Sequence, residues 1–80
     1  MLTNEIKKGM RIKLRNGWFG TMFDNKRGNT RLVDVEGTYR EIGSVYSFDI
    51  MQVEVDGIWQ RVQHTPVQTD LRHKLNAMGI

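Results

Sequence analysis

The sequence predicts a mainly β fold: a small barrel of five or six short antiparallel strands with one C-terminal helix. Three observations predict it. Apolar and polar residues alternate in short runs. Asn16-Gly17 and Asp56-Gly57 stand between such runs as hairpin corners. Turn residues recur at the spacing of about 8–12 positions that marks small sandwiches and barrels. Only after Thr65 does the apolar period become helical. The 80 residues make one domain, with the barrel at about 5–64 and the helix at about 66–78. A chain of this length buries about 60% of its unfolded surface, so the core is thin.

Met10, Ile12 and Leu14 alternate with Arg11, Lys13 and Arg15, the pattern of a strand with one buried face. Asn16-Gly17 follows, and both residues accept the positive φ of a two-residue turn. "WFGTMFD" is the returning strand. A two-residue turn sets Arg15 opposite Trp18 and Leu14 opposite Phe19. Met10, Ile12, Leu14, Phe19, Thr21 and Phe23 then point inward, and Arg11, Lys13, Arg15, Trp18 and Met22 outward. A slip of one residue would exchange the faces of the second strand.

Residues 24–29, "DNKRGN", form a polar corner with Gly28 available for a left-handed conformation. "TRLVDVE" is a third strand whose pattern leaves the inward side open, with Val33 and Val35 favoured there, and Glu36-Gly37 makes the next corner. "TYREIGSVYSF" carries a fourth strand, interrupted at Gly43-Ser44. "SFDI" reads as a single helical turn, in which Asp49 accepts backbone N–H bonds. Met51, Val53 and Val55 alternate with Gln52 and Glu54 in a fifth strand. Asp56-Gly57 turns the chain and "IWQRVQ" returns, so Trp59 shares a face with Glu54, Gln52 and Arg61.

In the last segment Thr65 is the N-cap, Pro66 takes the first helical position and Gln68 completes a capping box. Val67, Leu71, Leu75 and Met78 form one stripe, Asp70 can pair with Lys74, and Gly79 ends the helix. The helix is expected to cover an open edge or end of the sheet. The architecture expected is an SH3-like barrel with this helix appended.

Charge is uneven along the chain. Residues 1–31 carry eight Lys/Arg against Glu5 and Asp24, a balance of +6, and residues 32–80 carry four against seven acids, a balance of −3. One basic and one acidic face are expected, which concerns partners more than fold. The absence of cysteine excludes disulfides, thiolate zinc sites and cysteine nucleophiles. It suits a cytoplasmic chain. "MLTNEIKKGM" offers only Leu2 and Ile6 as large aliphatics, so neither a secretory signal nor a membrane span is expected.

Catalytic patterns are missing. His64 and His73 stand nine positions apart without metal-ligand spacing and read as ordinary surface histidines. Gly17-x-x-Gly20 lacks the Lys-Ser/Thr ending of a phosphate loop. No pattern supports Asp49 with Glu41 or Glu54 as a working carboxylate pair. A non-enzymatic protein without cofactor or metal is expected.

The stretch "IKKGMRIKLRNGWFG" resembles the start of KOW/SH3-like modules, with Gly9, Ile12, Leu14 and Gly17 at matching places. Where those modules usually have a basic residue before the next glycine, Phe19 precedes Gly20. The resemblance implies a binding module of the kind that contacts RNA or the transcription and translation machinery. In compactness, the chain is also similar in style to accessory proteins encoded by bacteriophages.

Two partners follow from the residues. Arg11, Lys13 and Arg15 would project about 6.5–7 Å apart along a strand, near the phosphate spacing of an extended single strand. Trp18 at the end of the row would stack a base. Lys26, Arg27 and Arg31 would continue the track, and Lys7 and Lys8 would extend it at the other end. The plain alternative is that these cations are only a solvated sheet face. The competing partner is a host protein, met by Trp59 with Arg61 and Glu54 or by the acidic second part of the chain. A homodimer through an uncovered strand edge is a further expectation.

Overall fold

The computed structural model describes residues 1–25, 30–36 and 40–79, with the backbone alone for Arg40. Lys26, Arg27, Gly28 and Gly37, and the roles expected of them, lie outside the described residues. Six antiparallel strands form one open sheet: β1 (Arg11–Leu14), β2 (Phe19–Asp24), β3 (Thr30–Glu36), β4 (Arg40–Tyr46), β5 (Ile50–Val55) and β6 (Ile58–Arg61). Their order is β4-β3-β2-β1-β5-β6. The mainly β expectation holds, and α1 (Pro66–Ala77) follows the last strand. Among the described residues, no ladder joins the end strands β4 and β6.

The β1–β2 corner departs from the expected register. Gly17 N–H donates to Leu14 O at 3.0 Å and Leu14 N–H to Trp18 O at 2.7 Å, so the loop has three residues, not two. Gly17 takes φ +90°, and Asn16 Oδ1 accepts the Trp18 N–H at 3.0 Å. This is a turn closed by a left-handed glycine, the next commonest hairpin corner. Lys13 therefore faces Phe19, Ile12 faces Gly20 and Arg11 faces Thr21. The faces of β2 are exchanged as a one-residue slip requires. Met22 is 1% exposed in the core, whereas Phe19 and Phe23 are 37% and 40% exposed.

Gly20 shows why the slip is favourable. A Cβ there would lie 2.6 Å from Val33 Cγ1 and 3.0 Å from the Asp34 carbonyl oxygen. A glycine on the inward face lets β2 approach β3, and Met22 fills the space one step along. Gly20→Ala is expected to cost about 1–3 kcal/mol, as overpacking does. Thermal unfolding followed by circular dichroism checks this. An unchanged midpoint would mean that the two strands are not in such close approach.

Strands β2 and β5 each carry one extra residue, Phe23 and Met51. Register shifts occur between Lys13 and Leu14 on the β5 side and between Met22 and Asp24 on the β3 side. Bulges of this kind sharpen twist and curvature. Ile12, Leu14, Met22, Val33, Val35, Ile50 and Val53 bury one face of the sheet together with Ile6 and Val62. Val33 and Val35 are inward as expected, and Arg31, on the same side of β3, is buried with them.

The β5–β6 hairpin follows expectation. Asp56 and Gly57 take φ 52° and 79°, and Glu54 faces Trp59 while Gln52 faces Arg61. β4 is not interrupted at Gly43-Ser44, because Gly43 pairs with Val33 and Ser44 with Leu32 in a continuous ladder. The helical turn is a 3-10 turn over Ser47–Asp49.

In α1 the capping box is complete: Gln68 N–H donates to Thr65 Oγ1 at 3.2 Å and Thr65 N–H to Gln68 Oε1 at 2.9 Å. The helix packs on the Ser47–Asp49 turn, at one end of the sheet. Its stripe is only partly covered. Leu71 and Leu75 are half-buried, whereas Val67 and Met78 are exposed and Gln68 is buried. Leu75 lines the same hollow as Tyr46 and Phe48. Leu75→Asp should undock α1 and leave the sheet folded. Hydrogen exchange would then show lost protection in α1 with β1 amides unchanged, and retained protection in α1 would refute it.

Candidate nucleic-acid interface

The outward face of the central strands carries two neighbouring rows. Phe19, Lys13, Gln52 and Arg61 are register partners across β2, β1, β5 and β6. The adjoining row holds Thr21 and Arg11 on β2 and β1, and Glu54 and Trp59 on β5 and β6. β2 and β6 stand about 14 Å apart in a flat sheet, three strand spacings. Yet the Phe19 and Trp59 rings have centroids 5.6 Å apart at 54°. Both rings therefore lean across β1 and β5 toward each other. Arg11 Cζ and Lys13 Nζ lie 5.5 and 5.6 Å from the Phe19 centroid, so two cations flank that ring.

Not all the expected cations are available to a ligand. Arg11 Nη2 pairs with Glu36 Oε2 at 3.2 Å, both partly exposed, which screens its charge. Arg15 lies beyond the end of β1, so the expected row of three cations is broken after Lys13. Its Nε–H donates to Asp49 Oδ1 at 3.0 Å and its Nη2 to Phe48 O at 2.7 Å. Arg15 thus ties the corner to the Ser47–Asp49 turn. Asp49 receives this guanidinium rather than the backbone N–H bonds expected of it.

Arg31 is a correction as well. It is 2% exposed and cannot continue a phosphate track. Its Nε donates to Asn25 Oδ1, its Nη2 to Asn4 Oδ1 at 2.6 Å and its Nη1 to Thr30 O at 2.9 Å. Asn25 Nδ2 in turn donates to Thr3 O and Ile6 O, each at 2.8 Å. The network clamps the N-terminal segment to the β2–β3 end of the sheet. Burial lowers the pKa of the Arg31 guanidinium from its usual value, but a guanidinium stays charged.

Trp18 is 48% exposed, at the corner, and is not on the face of Arg11 and Lys13. The aromatic that replaces it there is Phe19. A signal for it was present: a three-residue corner ending in glycine is common, and it places Gly20 and Met22 inward. Lys7 and Lys8 are exposed before β1, and Lys8 Nζ lies 4.9 Å from the Phe23 centroid.

Among the described residues, Lys13 and Arg61 have no carboxylate within ion-pair distance. They flank Gln52 in a shallow groove of about 480 Å³ that Arg15 and Asn16 also line. Cationic side chains beside a pair of rings offer phosphates a counter-charge and bases a surface to stack on. His64 is half-buried with Nε2 3.0 Å from Ile50 O, and His73 is exposed on α1. No group of His, Cys, Asp or Glu suited to a metal ion occurs among the described residues.

In comparisons with protein-family models, curated proteins and solved structures, the chain matched none.

Proposed function

We propose that the chain is a non-enzymatic module that binds single-stranded nucleic acid on the outward face of β1, β5 and β6. The observation that carries this reading is Lys13 and Arg61, without a carboxylate partner among the described residues, bracketing Gln52 beside the Phe19–Trp59 rings. Phosphates would follow Lys13 and Arg61, and a base would stack on the rings. A single strand is favoured because its bases are free to stack, while a duplex offers this face only phosphates.

An SH3-like barrel is the finer fold that we propose. β1 between β2 and β5, and bulges in β2 and β5, support a sheet bent enough for it. The host-protein alternative draws less support, because Trp59 leans on Phe19 and is half-buried, not a free-standing anchor. No helix among the described residues is long and apolar enough to cross a membrane.

Tryptophan fluorescence tests the reading. A short single-stranded oligonucleotide should quench Trp59, and affinity should fall about tenfold between roughly 50 and 200 mM salt, as release of counterions from two or three phosphates dictates. Affinity independent of salt, or a preference for duplex, would overturn it.

A further inference from the structure

We propose that the hollow between the β1–β2 corner and the C-terminal end of β4 is a guanine-selective base pocket. The inference rests on the reading above and names the base that a bound strand places beside its phosphates. The hollow measures about 370 Å³, within the size range of small-molecule sites, and Leu14, Val45 and Tyr46 line it together with Arg15, Asn16 and Asp49. It shares Leu14, Arg15 and Asn16 with the basic groove, so the two lie on either side of one corner. A strand on Lys13 and Arg61 reaches it within a nucleotide or two.

Tyr46 supplies the stacking surface. Its ring lies on that of Phe48 with centroids 5.0 Å apart and planes within 9°. Phe48 is 5% exposed and lines the neighbouring hollow but not this one. Tyr46 is therefore backed by a buried ring and already ordered before any base arrives.

The polar groups select the base. Arg15 Nε holds Asp49 Oδ1, and Phe48 O holds Arg15 Nη2, so the carboxylate is fixed in place. Asp49 Oδ2 has no partner among the described residues, and a carboxylate accepts about four hydrogen bonds in all. Guanine presents N1–H and the 2-amino group side by side, which a carboxylate accepts as two parallel bonds. Adenine and cytosine set a ring-nitrogen lone pair next to their amino group, and uracil sets its N–H between two carbonyls. Each of these puts an acceptor against the carboxylate. Asn16 Oδ1 is taken by the Trp18 N–H, which leaves Nδ2 as a donor for guanine O6. Arg15 offsets the Asp49 charge, so phosphates nearby are not repelled.

The test uses oligouridine with a single central guanosine, adenosine or inosine. The guanosine oligomer should bind about tenfold tighter than the adenosine one, because a site built for hydrogen-bond donors rejects a base lacking them. Inosine, without the 2-amino group, should fall between. Asp49→Asn should keep or raise the affinity for oligouridine, since it leaves Arg15 uncompensated beside the basic groove, and lose the guanosine preference. Tyr46→Leu leaves the Arg15–Asp49 pair intact and should lose it too, which guards against misfolding of the first variant. Equal affinity for all oligomers would overturn the base pocket and leave the phosphate reading standing. Guanosine preference kept in both variants would also overturn it. No binding to any oligomer would overturn both readings.

Discussion

Asn25→Ala should make the chain about 2–4 kcal/mol less stable, the cost of stranding two or more buried polar groups. The side chain donates to Thr3 O and Ile6 O and accepts from Arg31 Nε. Thr3 O keeps one donor, the Ile6 N–H at 3.2 Å. Ile6 O and the guanidinium do not gain a replacement from alanine. Arg31 is buried, so water cannot readily take the place of the lost carbonyl. A small domain has only about 5–15 kcal/mol in total, so the loss is a large fraction. Urea unfolding should show a lower midpoint with an unchanged slope. A change under about 0.5 kcal/mol would mean that solvent already reaches the network.

Lys13→Glu combined with Arg61→Glu should weaken binding to single strands about 100-fold at low salt and reduce the slope of log affinity against log salt by about 1.4, two phosphates' worth. Both residues lie on the outward face and neither holds an ion pair among the described residues, so stability should fall by no more than the Lys13–Phe19 ring contact, about 0.5–1 kcal/mol. Arg15→Glu should behave differently. It loses Asp49 and Phe48 O, and sets two carboxylates together, so its main effect should be on stability. Arg11→Glu should weaken binding less than Lys13→Glu, because Glu36 already screens Arg11. Unaltered affinity in the double variant, measured by fluorescence titration, would place the bound strand elsewhere.

Much of the fold was legible because it rests on local chemistry. Asp56-Gly57 tolerates two positive φ angles in succession, so the β5–β6 register followed directly. Thr65, Pro66 and Gln68 satisfy the first turn of α1 among themselves, so its start was legible too. The β1–β2 register was not, because Asn16-Gly17 suits both a two-residue and a three-residue corner. The choice depends on how closely β2 approaches β3 at Gly20, which is a tertiary fact.

Arg31 is instructive in another way. It shares its period-2 face with Val33 and Val35, so its inward position was implied by the alternation that placed the valines. Its charge groups it with the surface cations, but its register places it inside. The interface was half legible for the same reason. Trp59 and Arg61 stand on the β5–β6 hairpin, whose local turn chemistry sets its register, and Lys13 keeps its outward face, whereas Phe19 joins that face only through the three-residue corner. The Arg15–Asp49 pair joins residues 34 positions apart, and no local pattern announces it.

The most direct test is a map of backbone amide shifts as a single-stranded oligonucleotide is titrated in at low salt. The largest changes should fall on Lys13, Phe19, Gln52, Trp59 and Arg61, with weaker ones at Asn16 and Tyr46. Shifts gathered on the exposed Val67 and Met78 side of α1, with the central strands unmoved, would contradict the account.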